Sequence, residues 1–183
     1  MASHEARQPE PVEVADGVAC VSVGDVLLGL WKEPAHPARI RQFTQWAEVF
    51  LRDQPGDIAA CQFLLSSASP PTPEGFDAIR AGMKLVQPRA RRLVVVPVGD
   101  SIWLGVVRSI IRLGTQLTRT SKLIKVAADK PEAFDLLGGA GTPRSPTRGE
   151  LATAVERLYA ALGLEAPPEG GKTSVPPGQG GRR

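Results

Sequence analysis

Apolar residues along the chain fall into short continuous runs that have the length of β-strands. Five such runs predict strands, at 18–23, 26–31, 58–65, 93–98 and 122–127. Gly24 and Asp25 separate the first two runs, and a two-residue connection of this kind is typical of a β-hairpin. The run at 93–98, LVVVPV, is the most uniformly apolar, which predicts a central parallel strand covered on both faces.

Helical spacing marks the segments between these runs, because apolar residues recur there every three or four positions. The predicted helices cover about 37–54, 73–87, 101–119, 130–137 and 148–163. Pro37 and Pro73 stand in the first turn of the first two helices, where a missing N–H costs nothing. Thr72 can cap the second helix, and Thr147 with Glu150 forms a capping box before the last.

The resulting order of elements is β-β-α-β-α-β-α-β-α followed by one extra helix. It predicts an α/β fold with a mostly parallel sheet of about five strands, right-handed crossovers and an antiparallel hairpin at the start. The predicted organisation is a disordered N-terminus, an α/β domain, a linker, a C-terminal helix and a disordered Gly/Pro-rich tail, at 1–11, 12–137, 138–147, 148–163 and 164–183.

Composition narrows the class of protein further. A chain of 183 residues with 42% apolar residues is long enough to form its own core without a metal or a disulfide. Cys20 and Cys61 are 41 positions apart and form no CxxC pair, which argues against a zinc site or a redox motif. No signal peptide or membrane span is predicted, so we expect a soluble cytoplasmic protein. Sixteen arginines against six lysines suggest a GC-rich bacterial genome.

One motif resembles a catalytic site. The segment at 94–103, VVVPVGDSIW, is similar to the nucleophile block of GDSL-type hydrolases, with Ser101 as the nucleophile. A serine nucleophile needs a base, yet His4 and His36 both precede it, whereas that family places its histidine after the serine. The segment Gly99, Asp100 and Ser101 is therefore better interpreted as a turn and a helix cap. The sequence predicts no catalytic residue, no metal site and no cofactor.

Positive charge is concentrated in one part of the chain. Residues 89–125 contain eight basic side chains and one acid, although the whole chain carries a net charge of only +3. On the predicted helix, Arg108, Arg112 and Arg119 lie on one side, opposite an apolar stripe. They form either a solvated face or a docking surface for an acidic protein. Nucleic acid or an anionic membrane surface is less favoured. The lack of aromatic residues beside the arginines argues against single-stranded nucleic acid in particular.

The hairpin-first order of elements over residues 12–137 resembles the STAS domain, named for sulfate transporters and anti-sigma-factor antagonists. SEC14-like lipid carriers are similar in the logic of their sheet, although they usually have a longer chain. In the STAS family the domain binds a partner protein. A serine or threonine at the start of the helix that follows the strand at 58–65 switches this binding by phosphorylation.

The resemblance implies a partner-binding surface at the start of the second helix. It comprises Ser69, Thr72, Glu74, Gly75 and Phe76. When the family's glycine and following apolar residue are aligned with Gly75 and Phe76, Glu74 occupies the position of the phosphoacceptor. The chain departs from the family pattern at this position, so phosphorylation there is not implied.

Three hypotheses about function follow from the sequence. The first is a non-catalytic regulatory or scaffold module that binds a partner protein in signal transduction, as the resemblance implies. The second is a carrier for a small lipophilic ligand held between the sheet and its helices. The third is a serine hydrolase that uses Ser101. The sequence identifies neither the partner nor the oligomeric state.

Overall fold

The computed structural model describes residues 11–68, 71–99, 105–109, 111, 123–138 and 144–167. Its strands are β1 (Glu13–Ala15), β2 (Val18–Val23), β3 (Val26–Trp31), β4 (Ile58–Leu65), β5 (Ala90–Val98) and β6 (Ile124–Val126). Its helices are α1 (Pro37–Asp53), α2 (Pro73–Val86), α3 (Lys130–Gly138) and α4 (Arg148–Ala161), with a short 3-10 helix at Gln87–Arg89. Residues 105–109 are also helical.

The six strands form one sheet in the order of the sequence. β1, β2 and β3 are antiparallel neighbours, and β3, β4, β5 and β6 are parallel. The α/β class and the opening hairpin predicted from the sequence are confirmed. The sheet has one more strand than expected because three residues before the hairpin, Glu13–Ala15, pair with β2. So short a strand lacks the apolar run by which the others were recognised.

Helices cover both faces of the sheet. Side chains alternate along each strand, so residues two apart share a face. One face packs against α3 and α4, and its core includes Leu28, Leu30, Phe63, Phe134, Leu151 and Leu158. The other packs against α1 and α2, with Cys20, Leu27, Ala60, Ala47 and Phe50 among its buried residues. No helix in the described ranges is long and apolar enough to cross a bilayer.

Residues that follow the predicted α/β domain of 12–137 contribute to the core on the α3/α4 face. Leu151, Ala154 and Leu158 of α4 are each fully buried against the sheet. Leu164 and Ala166, which follow α4, also pack against this cluster. The predicted capping box of α4 is present: the Thr147 hydroxyl accepts from the Glu150 N–H at 3.2 Å.

Charged groups are fixed at the amino ends of the parallel strands. The Arg91 guanidinium contacts the Asp25 carboxylate at 2.9 Å, and both side chains are largely buried, with 14% and 5% of their surface exposed. Ser145 donates to the same carboxylate at 3.4 Å. Arg89 donates to carbonyl oxygens at and just after the end of α1, including that of Leu51. These contacts tie the hairpin, α1 and β5 together at one end of the sheet.

Removing the Asp25 carboxylate should destabilise the protein strongly, because Arg91 would keep a largely buried charge without its partner. We expect Asp25→Ala to lower the free energy of unfolding by on the order of 3 kcal/mol. Asp77→Ala is the matched control, since Asp77 and Arg80 form an exposed pair at 2.8 Å and such pairs contribute at most about 1 kcal/mol. Urea denaturation of both variants measures the difference, and equal losses would contradict the structural role of Asp25.

Candidate functional site

A cavity of about 360 Å³ lies between the sheet and the helices on the α1/α2 face. The strands contribute Leu27, Trp31, Ala60, Gln62 and Leu93, and the helices contribute residues such as Phe43, Thr44, Phe76, Ile79 and Met83. Val107 and Ile111 line a further side. The volume is within the range of about 300–1,000 Å³ typical of small-molecule sites.

Small residues on this face create the space. Ala60 of β4 and Ala47 of α1 are buried where larger side chains would reach further into the cavity. α1 and α2 approach closely beside it, because a Cβ on Gly82 would lie 2.7 Å from the Thr44 hydroxyl oxygen. The opposite face differs, since Phe63 and Leu28 are among the largest fully buried side chains of the described residues. The two faces of the same strands are therefore packed differently.

The lining is almost wholly apolar. Thr44 and Gln62 are the polar side chains among the described lining residues apart from the Trp31 indole, and none of these lining side chains is charged. The Thr44 hydroxyl donates to the Ile40 carbonyl oxygen at 2.8 Å. Such a lining fits an apolar molecule with few polar groups, because an unpaired charge would lose its hydration on entry.

Gln62 has a fixed position in the middle of the sheet. Its side-chain oxygen accepts a hydrogen bond from the indole N–H of Trp31 at 2.7 Å. Gly29 lies directly opposite Gln62 in the parallel register. A Cβ at Gly29 would stand 2.3 Å from the Gln62 oxygen and 2.7 Å from the Phe43 ring. The absence of a side chain at Gly29 therefore provides the room in which the Gln62 amide reaches Trp31.

The start of α2 contains four of the residues assigned to partner binding. The Thr72 hydroxyl accepts from the Gly75 N–H at 3.2 Å and caps the helix as predicted. Gly75 is buried, and a Cβ there would lie 3.0 Å from the Ala35 carbonyl oxygen, so the helix start packs closely on the segment after β3. The Glu74 carboxylate is fully exposed, and hydrogen bonds from its own backbone N–H and from Thr72 lower its pKa.

Phe76 belongs both to this surface and to the cavity. It is 40% exposed, and Ile79, one turn later, is 36% exposed. Both side chains also line the cavity. The cavity therefore reaches the surface of the protein along α2.

Several residues singled out in the sequence lie outside the described residues. These are Ser69 of the partner-binding surface, Ser101 of the GDSL-like motif, and Arg112 and Arg119 of the basic surface. Arg108 is described, and it is exposed beside the buried Val107. It forms no ion pair with another described residue. The structure therefore describes most of the predicted partner-binding surface, but only Arg108 of the basic surface.

The two cysteines lie on opposite faces of the sheet. Cys20 is buried with the α1/α2 core, and Cys61 with the α3/α4 core. Burial raises the pKa of both thiols, with Glu13 adding to the effect at Cys20. Such thiols are poor nucleophiles. Among the described residues, no three histidine, cysteine or acidic side chains are placed to hold a metal ion.

The Gln62 and Gly29 pair was missed in the sequence. Both residues interrupt apolar runs, Gln62 in IAACQFLL and Gly29 in VLLGLW. A polar residue within a strand that is buried on both faces needs a hydrogen-bond partner, and a strand glycine often marks a close approach. The sequence shows that each residue is unusual within its strand, but that Gly29 lies opposite Gln62 depends on the register of β3 and β4.

Comparison with protein-family models, with curated proteins and with solved structures finds no significant match.

Adding a methyl group at Gly29 should displace the Gln62 amide. We expect Gly29→Ala to lower the free energy of unfolding by about 1–3 kcal/mol, the usual cost of overpacking a core. The indole N–H resonance of Trp31, assigned with Trp31→Phe, should also shift as its hydrogen bond is lost. Gly149→Ala is the control, because a Cβ there has no neighbour within 4 Å. An unchanged indole resonance in Gly29→Ala would contradict the conclusion that Gly29 provides the room for the Gln62 amide.

Proposed function

We propose that the protein is a non-catalytic binding module that holds a small lipophilic ligand in the cavity between the sheet and helices α1 and α2. The cavity of about 360 Å³, with its apolar lining, is the observation that carries the proposal. It has room for about a dozen water-sized groups, since one water occupies about 30 Å³ of the liquid. Entry would take place along α2, where Phe76 and Ile79 are partly exposed.

The position of the cavity in the fold supports this proposal. Phe76, Pro71 and Ala68 belong to the region after β4, and Ala35 belongs to the segment after β3. Ligands of open α/β sheets generally bind at the carboxyl ends of parallel strands. Apolar surface removed from water provides about 25 cal/mol per Å², so a ligand of this size can bind through burial alone.

Narrowing the cavity should weaken ligand binding without unfolding the protein. We expect the neutral fluorescent probe N-phenylnaphthylamine to bind the wild-type protein and to gain intensity. Ala60→Ile places a larger side chain in the cavity and should weaken probe binding, while the melting temperature stays equal or rises.

The same substitution at an exposed position of α2, Ala81→Ile, is the control and should leave probe binding unchanged. Circular dichroism checks that both variants are folded. Equal probe binding by wild type and Ala60→Ile would show that the probe binds elsewhere. No binding by the wild type would overturn the proposal.

A second proposal is that the start of α2 binds a partner protein, as the resemblance to the STAS family implies. The observation that favours it is the exposed position of Phe76 between two acids, Glu74 and Asp77. Helix α2 thus presents an apolar group flanked by negative charge. A partner segment with an apolar and a basic side chain would complement it. Asp77 already pairs with Arg80, which leaves Glu74 as the main charge for such a contact.

Charge reversal at Glu74 should weaken this contact with little effect on the fold. We expect immobilised wild-type protein and Arg108→Glu to retain a protein from host lysate that Glu74→Lys loses. The retained protein, once purified, should bind the wild type more weakly as the salt concentration rises, because exposed charges are screened. If capture is lost only in Arg108→Glu, the docking surface would instead be the basic surface that contains Arg108. Equal capture by all three baits would contradict the proposal.

A further inference from the structure

We propose that the amide nitrogen of Gln62 is the polar anchor of the cavity, and that it selects an uncharged ligand with a carbonyl or similar acceptor group. This inference rests on the proposed ligand-binding function and specifies the ligand class. The ligand would be an apolar molecule with one neutral hydrogen-bond acceptor, such as a ketone, an aldehyde or an ester.

The orientation of the Gln62 amide follows from its partner. An indole N–H can only donate, so the atom of Gln62 that faces Trp31 must be the carbonyl oxygen. The NH₂ group of the same amide then points away from Trp31 and keeps two hydrogens to donate. No described residue accepts a hydrogen bond from this nitrogen, and Gln62 lines the cavity.

Neighbouring groups hold the amide in place. Gly29 leaves room for the Gln62 oxygen, and the Phe43 ring also borders that space. The Phe43 and Trp31 rings pack with their centres 5.4 Å apart, which fixes the indole that binds the amide. A donor held by packing in this way binds an acceptor at lower entropic cost than a free side chain would.

The other polar side chain of the lining cannot take this role. The Thr44 hydroxyl hydrogen is already donated to the Ile40 carbonyl oxygen. Thr44 therefore offers a ligand only its lone pairs, whereas Gln62 offers hydrogens. A carboxylate ligand would meet no cationic side chain among the described lining residues, and an unpaired buried charge is strongly disfavoured.

The experiment compares three ligands that differ at one group, by displacement of N-phenylnaphthylamine from the full-length protein. They are methyl octyl ketone, its hydrocarbon analogue with a methylidene group in place of the oxygen, and decanoate. The affinity ratio of ketone to hydrocarbon should fall about three- to tenfold in Gln62→Met, which corresponds to one lost hydrogen bond. Decanoate should bind wild type at least about tenfold more weakly than the ketone.

Thr44→Val is the matched control, because it removes the other polar group of the lining at equal size. It should leave the ratio of ketone to hydrocarbon unchanged. If Gln62→Met does not fold, Trp31→Phe/Gln62→Leu replaces both partners of the hydrogen bond, a change that is often nearly neutral for stability. Trp31→Phe alone is then its reference.

The outcomes separate this inference from the proposal on which it rests. Binding of ketone and hydrocarbon with the same ratio in wild type and Gln62→Met would overturn the role of Gln62 and leave the ligand cavity intact. Decanoate binding as tight as the ketone would overturn the neutral class of ligand. Failure of the probe and of all three ligands to bind would overturn both proposals.

Discussion

The register between β3 and β4, which sets Gly29 opposite Gln62, determines what the α1/α2 face of the sheet can hold. Helices cover both sides of both strands, and the oxygen of the half-buried Gln62 amide takes a hydrogen-bond partner within the protein. Trp31, two residues beyond Gly29 on the same face, supplies that partner. A shift of register by one residue would turn Gln62 toward the α3/α4 core and leave its amide without the indole.

Different contacts are found at the two ends of the parallel strands. At the amino ends of β3 and β5, the ion pair of Asp25 and Arg91 joins the hairpin to β5. The carbonyl contacts of Arg89 join α1 to the start of β5. At the carboxyl ends, the segments after β3 and β4 meet where the Ser67 hydroxyl donates to the Lys32 carbonyl oxygen at 2.5 Å. The start of α2 and the opening of the cavity lie beside that second end. The ion pair of Asp25 and Arg91 therefore lies at the end of the sheet opposite the start of α2.

The fold could be predicted from the sequence because its strands differ sharply from their surroundings. The runs at 18–23, 26–31 and 58–65 agree with β2, β3 and β4 residue for residue. β5 begins three residues earlier than expected, at Ala90, because Arg91 and Arg92 extend the strand with charged side chains that an apolar criterion excludes. Arg91 can lie there because Asp25, far away in sequence, neutralises it.

The candidate site was harder to predict, since it depends on space rather than on a motif. Thr72 was recognised as a cap because capping is a local property of neighbouring residues. The cavity instead depends on where Ala47, Ala60 and Gly82 come together, and these residues belong to three different elements. Gln62 could be seen as unusual within its strand. Its partner could be named only once the register was known.

Phe76 connects the two proposed functions, because the same side chain lines the cavity and is exposed on α2. If both proposals hold, ligand and partner protein would contact the same side chain. Thermodynamic linkage then requires the effect to be mutual: if ligand alters partner affinity by some factor, partner alters ligand affinity by the same factor. Glu74, fully exposed and turned to solvent two residues earlier, can contribute charge to a partner without touching the ligand. The geometry of α2 thus allows one short helix segment to serve a lipophilic ligand on its inner side and a protein on its outer side.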